Sequence, residues 1–131
     1  MEPLYIGIDW SEAKHDVCLL NKQGAILHEF VIEQSAAGYA LLLQKISQFQ
    51  VEPTACFIAI ETAYNLLLDF LLAKQYTVFV LPPNLVASNR SRFGSSGQRN
   101  DRSDARLIAD ICRTDLLVEI ESQGIQPLPS A

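Results

Sequence analysis

Leu4-Tyr5-Ile6-Gly7-Ile8-Asp9 is a short apolar run that ends on an acid, and after the polar Ser11-Glu12-Ala13-Lys14 a second run extends from Asp16 to Leu20. Both read as strands. Asn21-Lys22-Gln23-Gly24 supplies turn residues and Ile26 to Ile32 a third strand, so the first thirty residues predict an antiparallel meander. Ser35 can cap a helix in which Tyr39, Leu42, Leu43, Ile46 and Phe49 share one face, and Pro53 closes the connection. Cys56-Phe57-Ile58-Ala59-Ile60-Glu61 is a continuous apolar run, as expected of a strand covered on both faces in a parallel sheet. Tyr64, Leu67, Leu68, Leu71 and Leu72 predict a second helix, and Thr77 to Leu81 a fifth strand stopped by Pro82-Pro83. A stretch rich in Asn, Ser, Gly and Arg covers Asn84 to Asn100, followed by a helix from about Asp101 to Arg113 with Ala105, Ile108, Ala109 and Cys112 inward. The predicted order is βββαβαβα: an α/β domain with a mixed five-stranded sheet flanked by helices. After Asp115 the periodicity fades, and Gly124, Pro127 and Pro129 make residues 116–131 read as a linker or tail toward a further domain.

Composition narrows the class. The chain has 131 residues, 49% hydrophobic and 19% charged, which suits one compact domain and excludes a disordered one. No apolar run reaches the roughly 20 residues needed to cross a bilayer, and Met1-Glu2-Pro3 lacks the basic start of a secretory signal, so a cytoplasmic protein is expected. Cys18, Cys56 and Cys112 form neither a disulfide framework nor a zinc pattern and read as reduced core residues. The net charge of −5 is unevenly distributed: residues 1–83 carry −5, residues 84–113 carry +3 and residues 114–131 carry −3. Every arginine lies in the middle block. Arg90, Arg92, Arg99 and Arg102 can pair bidentately with phosphates, although charge alone supports a solvated basic surface equally well.

The candidate chemistry is carboxylate chemistry. A helical crossover returns the chain in the same direction, so if the fourth strand pairs parallel with the first, Asp9 and Glu61 end side by side at one sheet edge, where ligand sites gather. Gly7 and Ala59, two positions earlier, lie on the same face as the acids and would let a helix or substrate approach closely. Asp101 and Asp104 lie three apart at the start of the last predicted helix. Capping accounts for one such Asp, at about 0.5–1 kcal/mol; two invite another role. Were that helix to pack over the small-residue face, four carboxylates would meet and repel unless cations joined them. Two Mg²⁺ or Mn²⁺ ions would balance the charge, oxygen-only donors disfavour zinc, and two ions about 4 Å apart form a phosphoryl-transfer clamp. Trp10 can cover the sheet edge or stack on a base, and His15 and His28 receive no chemical role.

The segments Ile6-Gly7-Ile8-Asp9-Trp10-Ser11-Glu12-Ala13-Lys14, Ile60-Glu61-Thr62, Leu81-Pro82-Pro83-Asn84 and Arg99-Asn100-Asp101-Arg102-Ser103-Asp104-Ala105 occur in an order that resembles the DEDD transposases of the insertion sequence 110 family and the related Piv-type DNA invertases. The resemblance covers about residues 4–115, with the Asp-x-x-Asp-Ala element its most specific part. It implies a RuvC-like, RNase H-like fold over residues 1–115, with Asp9, Glu61, Asp101 and Asp104 as catalytic metal ligands. It further implies Mg²⁺-dependent cleavage and transfer of DNA strands, a bacterial cytoplasmic setting, a guide RNA, a homo-oligomeric full-length protein, and a C-terminal domain carrying a nucleophilic serine. Ser88, Ser91, Ser95, Ser96 and Ser103 are not candidates for that serine. Two departures from the pattern leave the acids untouched: Ala63-Tyr64-Asn65 stands where a Gly commonly follows the Glu, and Arg99 stands where Lys is usual. The alternatives are a Holliday-junction resolvase or nuclease of the same fold, and a non-enzymatic nucleic-acid-binding or dimerisation module. A sugar-kinase or actin-like ATPase half would need a Gly-rich turn after the first strand, which Trp10 to Lys14 does not offer.

Overall fold

The computed structural model describes residues 2–61, 66–90, 104–114 and 128. Five strands form one sheet: β1 (Leu4–Asp9), β2 (Lys14–Leu20), β3 (Ile26–Glu33), β4 (Cys56–Glu61) and β5 (Thr77–Val80). Their spatial order is β3-β2-β1-β4-β5, with β1, β2 and β3 antiparallel neighbours and β4 parallel to both β1 and β5. The predicted mixed sheet is therefore present, and β1 sits at its centre, where antiparallel pairing gives way to parallel. Among the described residues no helix is long and apolar enough to cross a membrane.

Helices cover both faces. On one side α1 (Ala36–Ser47) and α2 (Leu66–Ala73) bury Leu42, Ile46, Leu67, Leu68, Leu71 and Leu72 against Ile6, Ile8, Val17, Leu19, Ile58 and Ile60. Each such side chain contributes about 1.5–3 kcal/mol on leaving water. The Ser35 side chain caps α1 as expected, accepting the Gly38 N–H at 3.0 Å. Tyr64 of the predicted α2 face lies outside the described residues.

On the other side α3 (Pro83–Ser88) and α4 (Ala105–Thr114) pack over Ala59, Phe79 and Leu81 through Leu85, Val86, Leu107, Ile108 and Ile111. The short α3 replaces irregular chain expected after Pro82-Pro83. Pro83 occupies the first helical turn, where its missing N–H is harmless, and Leu85 and Val86 anchor the helix in the core. Ala105, Ile108, Ala109 and Cys112 face inward as predicted; Leu107 and Ile111 are buried as well, clustered with Leu85 and Val86 of α3, and Asp110 is buried in an ion pair with Arg113.

The close approach expected at the small residues is present. A Cβ built on Gly7 would fall inside the backbone of Ala105 and Ala109, so α4 rests directly on β1. Ala59, the register partner of Gly7, is fully buried beside it. Of residues 116–131 only Leu128 is described, and its N–H donates to the Val78 carbonyl at 2.8 Å while its side chain packs against the core. Fading periodicity gave no sign of that tether.

All three cysteines are free and buried. Burial pushes the Cys18 thiol up to about 12 and Cys56 to about 11, and raises Cys112 too.

Two outcomes follow from this packing. Gly7→Ala should cost about 1–3 kcal/mol by overpacking, read as a lower denaturant midpoint with an unchanged slope. The thiols stay protonated in the fold but ionise near 9.0 in the unfolded chain, so their contribution is whole below pH 9 and lost as pH rises toward 11–12. The unfolding free energy from urea titrations should accordingly fall between pH 9 and 11, by up to about 1.4 kcal/mol per thiol per pH unit, and less steeply in Cys18→Ala/Cys56→Ala.

Candidate functional site

Asp9 and Glu61 close β1 and β4, and the parallel register sets them directly opposite one another. By strand alternation both point to the face that carries Gly7 and Ala59, which is the α4 side. Asp104 immediately precedes α4 and acts as its N-cap residue: its carbonyl accepts the Ile108 N–H at 2.8 Å. Its own N–H donates to the Asp9 carboxylate at 2.8 Å, joining two residues 95 positions apart. Gly7 makes this bond possible, because a side chain there would lift α4 away from the strand. The start of a helix carries partial positive charge, which favours the carboxylates gathered around it.

Arg90 lies two residues beyond α3 and reaches the same corner. Its Nη2 donates to Asp104 Oδ2 at 2.9 Å, and Nε approaches Oδ2 at 3.3 Å and Oδ1 at 3.4 Å. The Asp104 hydrogen bonds hold the guanidinium more firmly protonated than usual, with Asp104, Glu61 and Asp9 adding to the effect through their charges. Three acids and one arginine from the sequence reading therefore come together. Asp101, Arg92, Arg99 and Arg102 lie outside the described residues.

A further acid was missed by the sequence reading. Asp16 on β2 is the antiparallel register partner of Asp9, so Asp16, Asp9 and Glu61 stand in a row across three strands. Only the hairpin register reveals it; in sequence Asp16 is one polar residue at the start of a strand. The histidines stay outside the chemistry. His15 is fully buried, its Nδ1 accepts the Ser11 N–H at 3.2 Å and its Nε2 lies 2.6 Å from Gln34 Oε1, so both ring nitrogens are engaged. Trp10 stacks on it, with centroids 5.5 Å apart and planes 17° apart, and so covers the sheet edge.

The donor set is made of hard carboxylate oxygens, which suit Mg²⁺ or Mn²⁺. Among the described residues no three His, Cys, Asp or Glu are grouped tightly enough to form a ready-made cage. The corner instead holds a side-chain cation, Arg90, bound to one of its acids. That pairing fits a site whose charges call for positive partners.

Comparison with known proteins bears on the family and the fold. The family model for DEDD transposases of the IS110 group, described as Transposase, matches residues 6–126. A curated Streptomyces coelicolor protein, named for transposition of the IS117 mini-circle, is 35% identical over 128 residues, which is 97% of this chain and 30% of that relative. A solved structure of T. thermophilus RuvC in complex with Holliday junction substrate superposes with a TM-score of 0.61 at 15% identity, covering 96% of this chain and 99% of that one. At that identity the likeness shows a RuvC-like, RNase H-like fold.

Removing the Asp9 carboxylate leaves the Asp104 N–H without its acceptor, at a local cost of about 1–3 kcal/mol. In Asp9→Ala, amide exchange at Asp104 and Ile108 should therefore be at least roughly tenfold faster by NMR, whereas Asp9→Asn, which keeps an acceptor oxygen, should exchange nearly as slowly as the parent.

Proposed function

The chain belongs to the DEDD transposase family of the IS110 group, and from that premise we propose that it is the metal-dependent phosphoryl-transfer domain of a DNA transposase. The observation that carries the reading is the meeting of Asp9, Glu61 and Asp104, from two neighbouring strands and a distant helix, at the C-terminal edge of the parallel strands. The chain spans about 30% of the length of its curated relative, so the activity of a whole protein is part of the proposal.

Asp9, Glu61, Asp101 and Asp104 would hold two Mg²⁺ or Mn²⁺ ions. Bound there, divalent ions would draw charge from a phosphodiester and stabilise both the attacking oxygen and the leaving oxygen. The protein's own part is positional. The Asp9–Asp104 hydrogen bond fixes the start of α4 against β1, and the β1–β4 register fixes the separation of Asp9 from Glu61. Arg90, Arg92, Arg99 and Arg102 would grip the DNA backbone, giving binding that weakens steeply with salt. Strand exchange would further require the serine of a C-terminal domain, with a guide RNA and a second copy of the full-length protein as partners.

The resolvase reading shares this fold and this chemistry, and the family match favours the transposase. Thermal unfolding provides the test. Millimolar Mg²⁺ or Mn²⁺ should raise the melting temperature, with about 2.7 kcal/mol of stabilisation at a hundredfold excess over Kd. Asp9→Asn, Glu61→Gln and Asp104→Asn should each abolish the rise, and in the full-length protein abolish transposition. A melting temperature indifferent to both ions would refute the metal-dependent reading.

A further inference from the structure

Arg90 occupies an unusual position for an arginine assigned to nucleic acid. Rather than reaching into solvent, it uses Nε and Nη2 on both oxygens of Asp104, and it lies close enough to Asp9 and Glu61 to feel their charges. The pair sits at the rim of the corner, with the Arg90 side chain 36% exposed and that of Asp104 17% exposed. Such a pair is weak and easily parted. Arginine cannot give up its proton near neutrality, so its charge leaves the carboxylate only if the side chain moves. The point of attachment permits this. Asn89 Nδ2 ties the end of α3 to the Leu85 carbonyl at 2.8 Å, so the backbone beside Arg90 is anchored and only the side chain need swing.

Resting on the metal-dependent reading above, we propose that Arg90 is a displaceable counter-ion: its guanidinium holds Asp104 while no divalent cation is bound and releases that carboxylate when one binds. A dication and a guanidinium on one carboxylate repel each other, so binding of the one weakens the hold of the other. Once released, the guanidinium stands beside the acids with its donors available, placed for a phosphate group on the strand the site would cut. Arg90 is thus a positioning residue that keeps Asp104 oriented in one state and contacts substrate in the other. Metal and DNA backbone binding would be coupled through one side chain, each favouring the swung-out arginine.

The test uses the full 131-residue chain and Mn²⁺ alone as the probe, with free Mn²⁺ read by electron paramagnetic resonance at fixed ionic strength. Arg90→Gln removes the competitor and should tighten Mn²⁺ binding roughly two- to fivefold, the equivalent of one rim ion pair. Arg90→Lys, which keeps the charge, should stay within about twofold of the parent. An independent readout follows the parent chain: its Arg90 Nε–H NMR signal, assigned by its loss in Arg90→Gln, should lose its protection from solvent as Mg²⁺ is added. Unchanged or weaker Mn²⁺ binding by Arg90→Gln, or an Nε–H that stays protected at saturating Mg²⁺, would overturn the counter-ion role and leave the metal site standing. Absence of Mn²⁺ binding in both the parent and Arg90→Gln would overturn the metal site and this proposal together.

Discussion

Side chains ordinarily hold a helix off the sheet that it covers. At Gly7 there is none, so the backbone of α4 at Ala105 and Ala109 descends onto the central strand. The remainder of the acidic corner depends on that contact. It sets the height of the helix start, the height brings the Asp104 N–H within 2.8 Å of the Asp9 carboxylate, and that bond turns one end of a helix toward two strand ends. Ala59 on the neighbouring strand extends the low ground sideways. An additional methyl group at the centre of the sheet would therefore be felt at the carboxylates, two residues away along the strand.

The two faces of the sheet divide the work. Leu4, Ile6, Ile8, Ile58 and Ile60 point toward α1 and α2 and make the larger apolar core. Tyr5, Gly7 and Asp9, with Phe57, Ala59 and Glu61, point the other way: each triplet runs from aromatic through small to acidic and ends at the corner. Tyr5 and Phe57 stack at 5.7 Å on the side away from the acids, so the face is packed at one end and polar at the other. The residues that stabilise the sheet are thus largely separate from those that give it chemistry.

Much of this was legible in the chain because the signals were local. Apolar runs ending in Asp9 and Glu61 marked β1 and β4 to the residue, and the hairpin residues around Gly24 and the cap at Ser35 fixed the neighbouring elements. The intervening helix implied that β4 runs in the same direction as β1, and their pairing, a condition of the sequence argument, places the two acids together in the structure. What escaped was non-local. Asp16 becomes a neighbour of Asp9 only through the register of the β1–β2 hairpin, and nothing about a lone Asp at a strand start announces it. The α3 helix hid in a segment whose composition suggests loop, its two buried residues too few to set a period. Arg90 read as one cation among several, and its choice of Asp104 is made in three dimensions.

The bond between Asp9 and Asp104 spans most of the chain, and this has a consequence during synthesis. A ribosome delivers β1 first and β4 later, whereas Asp104 and α4 follow only after all five strands have been synthesised. A nascent polypeptide therefore possesses no complete acidic corner until translation has passed the start of α4. Long-range closure of this kind ties the gathering of the carboxylates to the arrival of a segment made 95 residues after the first of them.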